Sequence, residues 1–273
     1  MATVGTYVYC LVAGDRRPLL RRRFTRLPGM GQVRVLDVGR DLWLVVADAP
    51  LNRYGEETIN RKLSDLDWVS RAAIAHEAVV ESFIDQRAVL PMKLFTIFTS
   101  DDRALDQVRG DRRRVDAMVK RVANHVEWGI RVTLDRVRPP RAATAGLPRR
   151  SARQRPGEKA LARRSVREAA GAGYLSQKKA QRDAAVELAE HARETVAELY
   201  DRLAARSKLA RRRMAGELPV RGGPLLLDGA FLVPRSRATA FRALMTREAR
   251  RLGRFGYQVT MSGPWPPYTF VKD

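Results

Sequence analysis

The stretch GPWPPYTFV at residues 263–271 restricts its own backbone strongly, because three prolines and two aromatic residues fill five of its first six positions. Each proline fixes its own φ at about −65° and pushes the preceding residue toward an extended conformation. The sequence therefore predicts a stiff, polyproline-like segment instead of a free tail. We call residues 263–271 the strap.

Two aromatic side chains of the strap, Trp265 and Tyr268, are suited to anchor it. Each ring of this kind buries about 150–250 Å² while its polar N–H or O–H points at a partner or at water. Two interpretations follow: the strap closes the protein's own core, or its central residues contact another protein. The candidate contact residues in the strap are Trp265, Pro266, Pro267 and Tyr268.

The second half of the chain alternates between strand and helix patterns. Residues 128–134 alternate apolar and polar side chains, as in a half-buried strand, and residues 185–203 form one apolar face of a long helix. Two strands at 218–220 and 225–233, a helix capped by Ser236 and a closing strand at 257–261 follow. The order β-α-β-β-α-β predicts a modified ferredoxin-like domain at residues 123–273 with a long helical crossover.

The first half predicts a smaller α+β domain at residues 1–122. Three apolar runs at 5–13, 33–38 and 42–49 suit strands, the last two joined as a hairpin through Gly39 and Arg40. A capping box at Ser64 is expected to open a helix over the sheet, and Ser100 to open another. Between them, residues 89–98 are apolar on both faces, which predicts a central strand with a bulge or strand start at Pro91.

Composition bounds the fold class. A chain of 273 residues, 45% of them hydrophobic, is long enough for two α+β domains of α/β-sandwich type. No apolar run approaches the ~18 residues needed to span a bilayer, so we expect a cytoplasmic protein without a membrane contact. Cys10 is the sole cysteine, which excludes an intramolecular disulfide and predicts a small buried side chain.

The charge of the chain is concentrated in its middle. Of a formal net charge of +22, residues 136–182 contribute fourteen Lys or Arg against two Glu. Residues 136–165 are interpreted as a basic loop: either a solvated loop, a docking site for an acidic protein, or a nucleic-acid contact. It lacks interleaved aromatics and any nucleic-acid-binding motif, which makes nucleic acid the weakest of the three. Its arginines include Arg149, Arg150, Arg153, Arg155, Arg163 and Arg164.

Catalytic motifs are not recognisable in the sequence. His76 and Glu77 begin like a zinc-protease helix, but Val80 occupies the position of the second histidine. His76 lies on the apolar stripe of its helix, which favours a buried, hydrogen-bonded histidine over a ligand or base. The glycine pairs lack the remaining features of phosphate-binding loops. We therefore predict no catalytic, metal-binding or cofactor-binding residues, and a protein that is not an enzyme.

Six segments in the same order resemble the GvpF/GvpL family of gas vesicle accessory proteins. They are YVYCLV at 7–12, DLDWVSRAAIAHEAVV at 65–80, VLPMKLFTIF at 89–98, EWGIRV at 127–132, GYLSQKK at 173–179 and GPWPPY at 263–268. One departure stands out: after the Pro-Met step the family usually has Arg and then Phe-Gly, whereas this chain has Lys93, Leu94 and Phe95.

The resemblance implies a role in gas vesicle assembly, as an assembly factor or minor structural component. Members of the family are regarded as contacting the small hydrophobic shell protein and other accessory proteins at the gas vesicle. The candidate contact region combines the strap residues with Tyr174 and Pro91. A nucleic-acid-binding protein is the alternative function, and an enzyme of ferredoxin-like fold is the third candidate.

Overall fold

The structure, a computed structural model, describes residues 3–20, 27–134, 162–213 and 224–271, and the side chains of 162–177, 180, 184 and 185 are not described. The strands are β1 (Val4–Ala13), β2 (Arg34–Asp37), β3 (Leu42–Pro50), β4 (Ala88–Pro91), β5 (Ile97–Phe98), β6 (His125–Leu134), β7 (Leu209–Arg212), β8 (Leu225–Pro234) and β9 (Tyr257–Trp265). The helices are α1 (Leu51–Tyr54), α2 (Glu56–Lys62), α3 (Leu66–Glu81), α4 (Asp101–Gly110), α5 (Arg112–Val122), α6 (Ala162–Ala204) and α7 (Ala238–Gly253). Helices and antiparallel sheets are thus mixed, as the sequence predicts.

The first sheet is centred on β1. Its strand order is β2-β3-β1-β4, and the short β5 also pairs with β1. The predicted hairpin of β2 and β3 is confirmed, and its turn places Gly39, Arg40 and Asp41 at positive φ. A bulge between Val8 and Cys10 shifts the alternation of β1, so that Tyr9 and Cys10, though consecutive, both face the core beneath α3.

The prediction of one central strand at residues 89–98 is wrong. The run divides into β4 and β5, which both pair with the same side of β1, and the intervening residues leave the sheet. Pro91 ends β4 at the sheet edge and pairs with Cys10. Because proline has no N–H to donate to a further neighbour, an edge position suits it better than a central one.

The helices of the first half differ from the predicted ones in detail. Asp65, not Ser64, caps α3 by accepting a hydrogen bond from the Trp68 backbone N–H at 3.0 Å. Ser100 caps α4 as predicted, accepting from Arg103 N at 3.2 Å. The helix that begins after Ser100 ends at Gly110, and Asp111 separates it from α5.

The second sheet has the order β7-β8-β6-β9, and its pairs are all antiparallel. The described elements of the second half follow the predicted order β-α-β-β-α-β. The second strand is β7 at Leu209–Arg212, which we did not predict, whereas the predicted strand at 218–220 lies outside the described residues. Ser236 does not cap α7; it lies in a short 3-10 turn, and Arg237 precedes the helix without a side-chain cap.

Among the described residues, three apolar clusters hold these layers together. One lies between α3 and the first sheet, and another between the second sheet and the pair α6 and α7. The third lies between the sheets, where β1 and β3 contribute Val8 and Leu44, β8 contributes Leu232, and the strap contributes Phe270. Helices α4 and α5 fill this middle layer. The two halves of the chain therefore share one core.

Candidate functional site

The strap lies folded against the rest of the protein. Its first three residues, including Trp265, belong to β9, and a turn follows in which Tyr268 N donates to Pro266 O at 2.8 Å. The turn interrupts the predicted polyproline-like course. Pro266 and Pro267 are buried, and Phe270 is fully buried in the core between the sheets.

A buried carboxylate fixes the strap to the second sheet. Glu127 on β6 is only 4% exposed, and its two oxygens accept from Thr269 N at 2.7 Å and from Thr269 Oγ1 at 2.6 Å. Hydrogen bonds to an ionised acceptor are stronger than neutral ones. Glu127 lies on the face of β6 opposite to Trp128, so the alternation of this strand directs a carboxylate at the strap.

Arginines hold the strap backbone from both sides. Arg121 at the end of α5 donates to Phe270 O at 3.3 Å, and Arg211 on β7 donates to Thr269 O at 3.2 Å. The Arg211 guanidinium also lies 5.9 Å from the centre of the Phe270 ring. These contacts join elements from both halves of the chain to one short segment.

An apolar cavity of about 840 Å³ lies beside the strap, around the edge strand β4. We call it the strap cavity. It is bounded by α3, β4 and the residues after it, α4, α5 and the strap. Its apolar and aromatic wall includes Leu90, Pro91, Met92, Leu94, Met118, Tyr268 and Val271. The polar side chains that line it are His76, Glu77, Lys93, Thr96, Gln107, Asp111 and Arg114.

His76 is held inside this wall by a tyrosine. Its Nδ1 lies 2.7 Å from Tyr7 Oη, and Tyr7 Oη in turn accepts a long hydrogen bond from Phe95 N at 3.4 Å. The Tyr7 proton is therefore free to point at Nδ1, which keeps the imidazole neutral. Burial lowers the pKa of His76 to about 4 and raises the pKa of Tyr7. Such a pair orders the wall, and an imidazole with a pKa of about 4 is a weak general base at neutral pH.

Phe95 adopts a backbone conformation that favours glycine. Its φ is +65°, in the left-handed region. This is the position at which the sequence departs from the Phe-Gly pattern of the resemblance. The Phe95 ring stacks on Trp68 at 4.9 Å between ring centres, with an angle of 11° between their planes. The stacking contact offsets a backbone cost of about 1–2 kcal/mol.

Burial also shifts the pKa of other titratable groups near the strap cavity. Burial raises the pKa of Glu77 and, together with the neighbouring charge of Glu77, that of Glu81. Burial also raises the pKa of Tyr268. Among the described residues, no three His, Cys, Asp or Glu side chains are grouped so that they would hold a metal ion.

The structure brings together part of the predicted contact region. Pro91 and Tyr268 line the strap cavity, and Pro266 and Pro267 lie buried next to it in the strap. Trp265 does not line the cavity; it is half-buried on β9 opposite Glu127. Tyr174 falls within α6, and its side chain is not described.

The basic loop differs from its predicted bounds. Arg163 and Arg164 fall in the first turn of α6, so the loop as drawn at 136–165 overlaps a helix. The other arginines of the loop, Arg149, Arg150, Arg153 and Arg155, lie outside the described residues.

Sequence reasoning missed several residues that build this region. Glu127, Thr269 and Phe270 fix the strap, and Met118 forms part of the cavity wall. The polar position of Glu127 in an otherwise half-buried strand was a signal available in the sequence, but its partner 142 residues away was not.

Comparison with known proteins identifies the family of this chain. The profile of the family described as "Gas vesicle synthesis protein GvpL/GvpF" matches residues 5–272. The chain belongs to the GvpL/GvpF family. A curated member, gas vesicle protein L of Streptomyces sp. (strain CB03234), is 27% identical over 233 residues, which cover 85% of this chain and 80% of that protein.

Two solved structures share the fold. The crystal structure of the gas vesicle protein GvpF from Anabaena sp. PCC7120 has a TM-score of 0.63 at 14% identity, covering 99% of this chain and 97% of that one. The GvpF structure from Microcystis aeruginosa has a TM-score of 0.63 at 13% identity, covering 98% and 99%. The family membership supports a role of this protein in gas vesicles. In the part of the chain that the structure describes, no helix has the length and apolar character needed to cross a bilayer.

Proposed function

We propose that this protein is a non-enzymatic gas vesicle assembly factor that binds an apolar segment of the hydrophobic shell subunit in the strap cavity. The observation that carries the proposal is the cavity itself. Four segments of the family resemblance, at residues 7–12, 65–80, 89–98 and 263–268, contribute to its wall, and most of that wall is apolar. Localisation at the gas vesicle follows from this role.

The physical need for such a partner lies in the shell subunit. A subunit that forms the wall of a gas-filled compartment exposes apolar surface before it assembles, and exposed apolar surface of this kind aggregates. A cavity lined by Leu94, Met92 and Met118 suits an apolar segment, because unbranched methionines adapt their shape to what they contact. The polar rim at Glu77 and Lys93 leaves the edge of the contact accessible to water.

An enzymatic function draws no support from this cavity. The nearest histidine, His76, is buried and engaged by Tyr7, and its pKa of about 4 makes it a weak general base at neutral pH. The nucleic-acid-binding alternative draws no support from the family or the solved structures either.

The basic segment at residues 136–165 is proposed to dock an acidic surface of another accessory protein, and removing residues 139–156 is expected to weaken that contact.

The domain division also belongs to this proposal. We propose that residues 1–122 and 123–273 are two structural units, the second a modified ferredoxin-like unit. The antiparallel strand order β7-β8-β6-β9 and the element order β-α-β-β-α-β support this description.

Co-expression with the shell subunit of the same organism tests the proposal. We expect the wild-type protein to keep the shell subunit in the soluble fraction and to co-purify with it. Met118→Glu places a charge on a half-buried wall position and is expected to reduce recovery of the shell subunit about tenfold or more. Ile74→Glu is the matched control, because Ile74 is 66% exposed on α3 and does not line the cavity.

Each outcome decides something. Failure of the wild-type protein to bind the shell subunit would overturn the proposed function. Binding that survives Met118→Glu, with an unchanged circular dichroism spectrum, would move the contact away from the cavity. Trp265→Ala tests whether Trp265 is structural or contacts the shell subunit. Loss of folding would make Trp265 structural, whereas loss of binding by a folded variant would place the contact on β9.

A further inference from the structure

The outer face of α7 is a row of arginines without ion-pair partners. The helix buries Phe241, Met245 and Leu252 toward the second sheet. The opposite face exposes Arg242, Arg247 and Arg250, continued by Arg254 just after the helix. In the described part of the chain, no carboxylate lies within ion-pair distance of these four arginines, whereas Arg251 pairs with Glu248 at 2.9 Å.

The outer face of α6 carries the opposite charge. Ala192, Val196, Leu199 and Leu203 face the sheet. Side chains spaced three and four residues apart share one side of a helix. The exposed side opposite these apolar residues presents Glu187, Glu190, Glu194, Glu198 and Asp201. Of these five acids, Glu198 alone has an ion-pair partner among the described residues, Arg202 at 3.5 Å.

The two helices lie next to each other on the same face of the second sheet. Both pack on Phe231 of β8. The centre of the Phe231 ring lies 5.5 Å from that of Tyr200 on α6 and 6.0 Å from that of Phe241 on α7. Arg202 of α6 also reaches Glu248 of α7 at 3.4 Å. The outer surface of this layer is therefore an acidic row beside a basic row.

We infer that this helix layer binds a second copy of the chain, with the acidic row of α6 in each copy facing the basic row of α7 in the other. A two-fold axis parallel to the helices and between them places α6 of one copy over α7 of its partner, and the reverse. Such an interface uses the same patch twice, as closed dimers do. A second copy fits this surface because its own helix layer carries a basic row to face the acidic row, and an acidic row to face the basic row.

The contact is expected to be weak and reversible. A 16-residue helix is about 24 Å long, and two helices with axes about 10 Å apart offer roughly 500 Å² per copy. Stable interfaces bury about 800 Å² per partner. The net charge of +22 on each copy also opposes association, although salt at about 150 mM screens charges farther apart than about 8 Å. Close pairs across the interface keep most of their attraction.

Charge reversal of the full-length protein tests the inference by sedimentation velocity in about 150 mM NaCl. The wild-type protein is expected to dimerise reversibly at concentrations up to about 200 µM. Arg247→Glu with Arg250→Glu, and separately Glu198→Arg with Asp201→Arg, which lie at the same level of the helix layer, are each expected to raise the dissociation constant about tenfold or more. A mixture of the two variants is expected to restore association, because each then carries the charge that the other lacks.

The direction in which the arginine variant changes dimer affinity distinguishes local charge pairing from an effect of the overall net charge. Arg247→Glu with Arg250→Glu lowers the formal net charge from +22 to +18, so association driven by net charge alone would become tighter. The control Arg61→Glu with Arg71→Glu makes the same change on exposed positions of α2 and α3 and is expected to leave dimerisation unimpaired. A monomeric wild type, a tighter arginine variant or a mixture that does not associate would each overturn the inference. All of these measurements need no shell subunit, so the proposed function is tested separately.

Discussion

At the scale of single residues, His76 shows how burial decides the state of a titratable group. The sequence predicted a buried, hydrogen-bonded histidine, and the structure confirms it: His76 is 3% exposed and lies 2.7 Å from Tyr7 Oη. Its neighbours Leu94, Pro91 and Tyr268 form an apolar wall that penalises a charged imidazole.

The stability of the protein is therefore expected to fall on acidification below about pH 6.5. The folded state resists protonation of His76 until its pKa of about 4, whereas the unfolded state takes up the proton near 6.5. Between these values the unfolded chain binds more protons, so the free energy of unfolding decreases as pH falls. We expect the share due to His76 to be about 2 kcal/mol between pH 7 and pH 5.

Urea denaturation at both pH values measures this share when the wild type is compared with His76→Gln. The variant keeps a hydrogen-bonding side chain but does not titrate, so its loss of stability on acidification should be smaller by that amount. Equal losses in the two proteins would show that His76 does not titrate as the structure implies.

Thr269 is the residue at which the attachment of the strap is open to a direct test. Its hydroxyl donates to the buried Glu127 carboxylate at 2.6 Å. Thr269→Val removes this bond and leaves the shape nearly unchanged, and we expect it to lower the free energy of unfolding by about 1–3 kcal/mol. The control Thr260→Val, at an exposed position of β9, is expected to change it by less than about 0.5 kcal/mol. Urea denaturation of both variants provides the measurement, and equal effects would contradict the role given to Glu127.

At the scale of elements, the strap packs against the protein's own core, whereas its contact with another protein remains a proposal. Phe270, which we did not single out, is its deepest anchor, while Tyr268 borders the cavity and Trp265 remains half-buried on β9. Pattern reasoning placed the anchors at the largest aromatic residues. The structure makes Phe270 the most deeply buried aromatic residue of the strap instead, because the turn at Tyr268 directs the Phe270 ring between the sheets.

Alanine substitutions should reveal this order of importance. Phe270→Ala leaves an unfilled space in the shared core and is expected to cost about 3–5 kcal/mol of stability. Trp265→Ala removes a partly exposed ring and is expected to cost less than about 2 kcal/mol. Thermal denaturation ranks the two variants; a greater loss for Trp265→Ala would contradict the assignment of Phe270 as the main anchor.

Element prediction succeeded where periodicity is long and local. The β2 and β3 hairpin, the Ser100 cap and the order of elements in the second half follow from side-chain spacing. It failed at residues 89–98, where an apolar run does not reveal whether it passes through the middle of a sheet or along its edge. In α3, Ala72 and Val79 are buried, whereas the larger apolar side chain of Leu66 is 76% exposed.

At the scale of the whole molecule, hydrogen bonds and a shared apolar core join the two halves of the chain. Asn124 N donates to Arg87 O at 2.7 Å, and Lys208 Nζ donates to Arg121 O at 2.8 Å. The core between the sheets adds Leu232 and Phe270 of the second half to Val8 and Leu44 of the first. Such a shared core couples the stability of the two units.

Two substitutions on one strand test this coupling. Leu232→Ala opens the shared core and is expected to cost about 2–5 kcal/mol and to speed hydrogen exchange at β1 amides as well as at β8. Leu227→Ala is the matched control, since Leu227 is buried on the opposite face of β8 against α6 and α7. It should affect β1 amides less. Unchanged exchange in β1 after Leu232→Ala would show that the two units unfold independently.

The sequence by itself determined the local features of this protein: most of its helices and strands, the stiff and aromatic character of the strap, and the six segments that resemble the GvpL/GvpF family. These depend on spacing between neighbours along the chain. The tertiary structure alone decided that β1 is central, that Glu127 holds Thr269, that Phe270 lies between the sheets and that Pro91 and Tyr268 share a cavity. Each of these joins residues far apart in sequence, and side-chain periodicity carries no record of which distant surface will cover a given face.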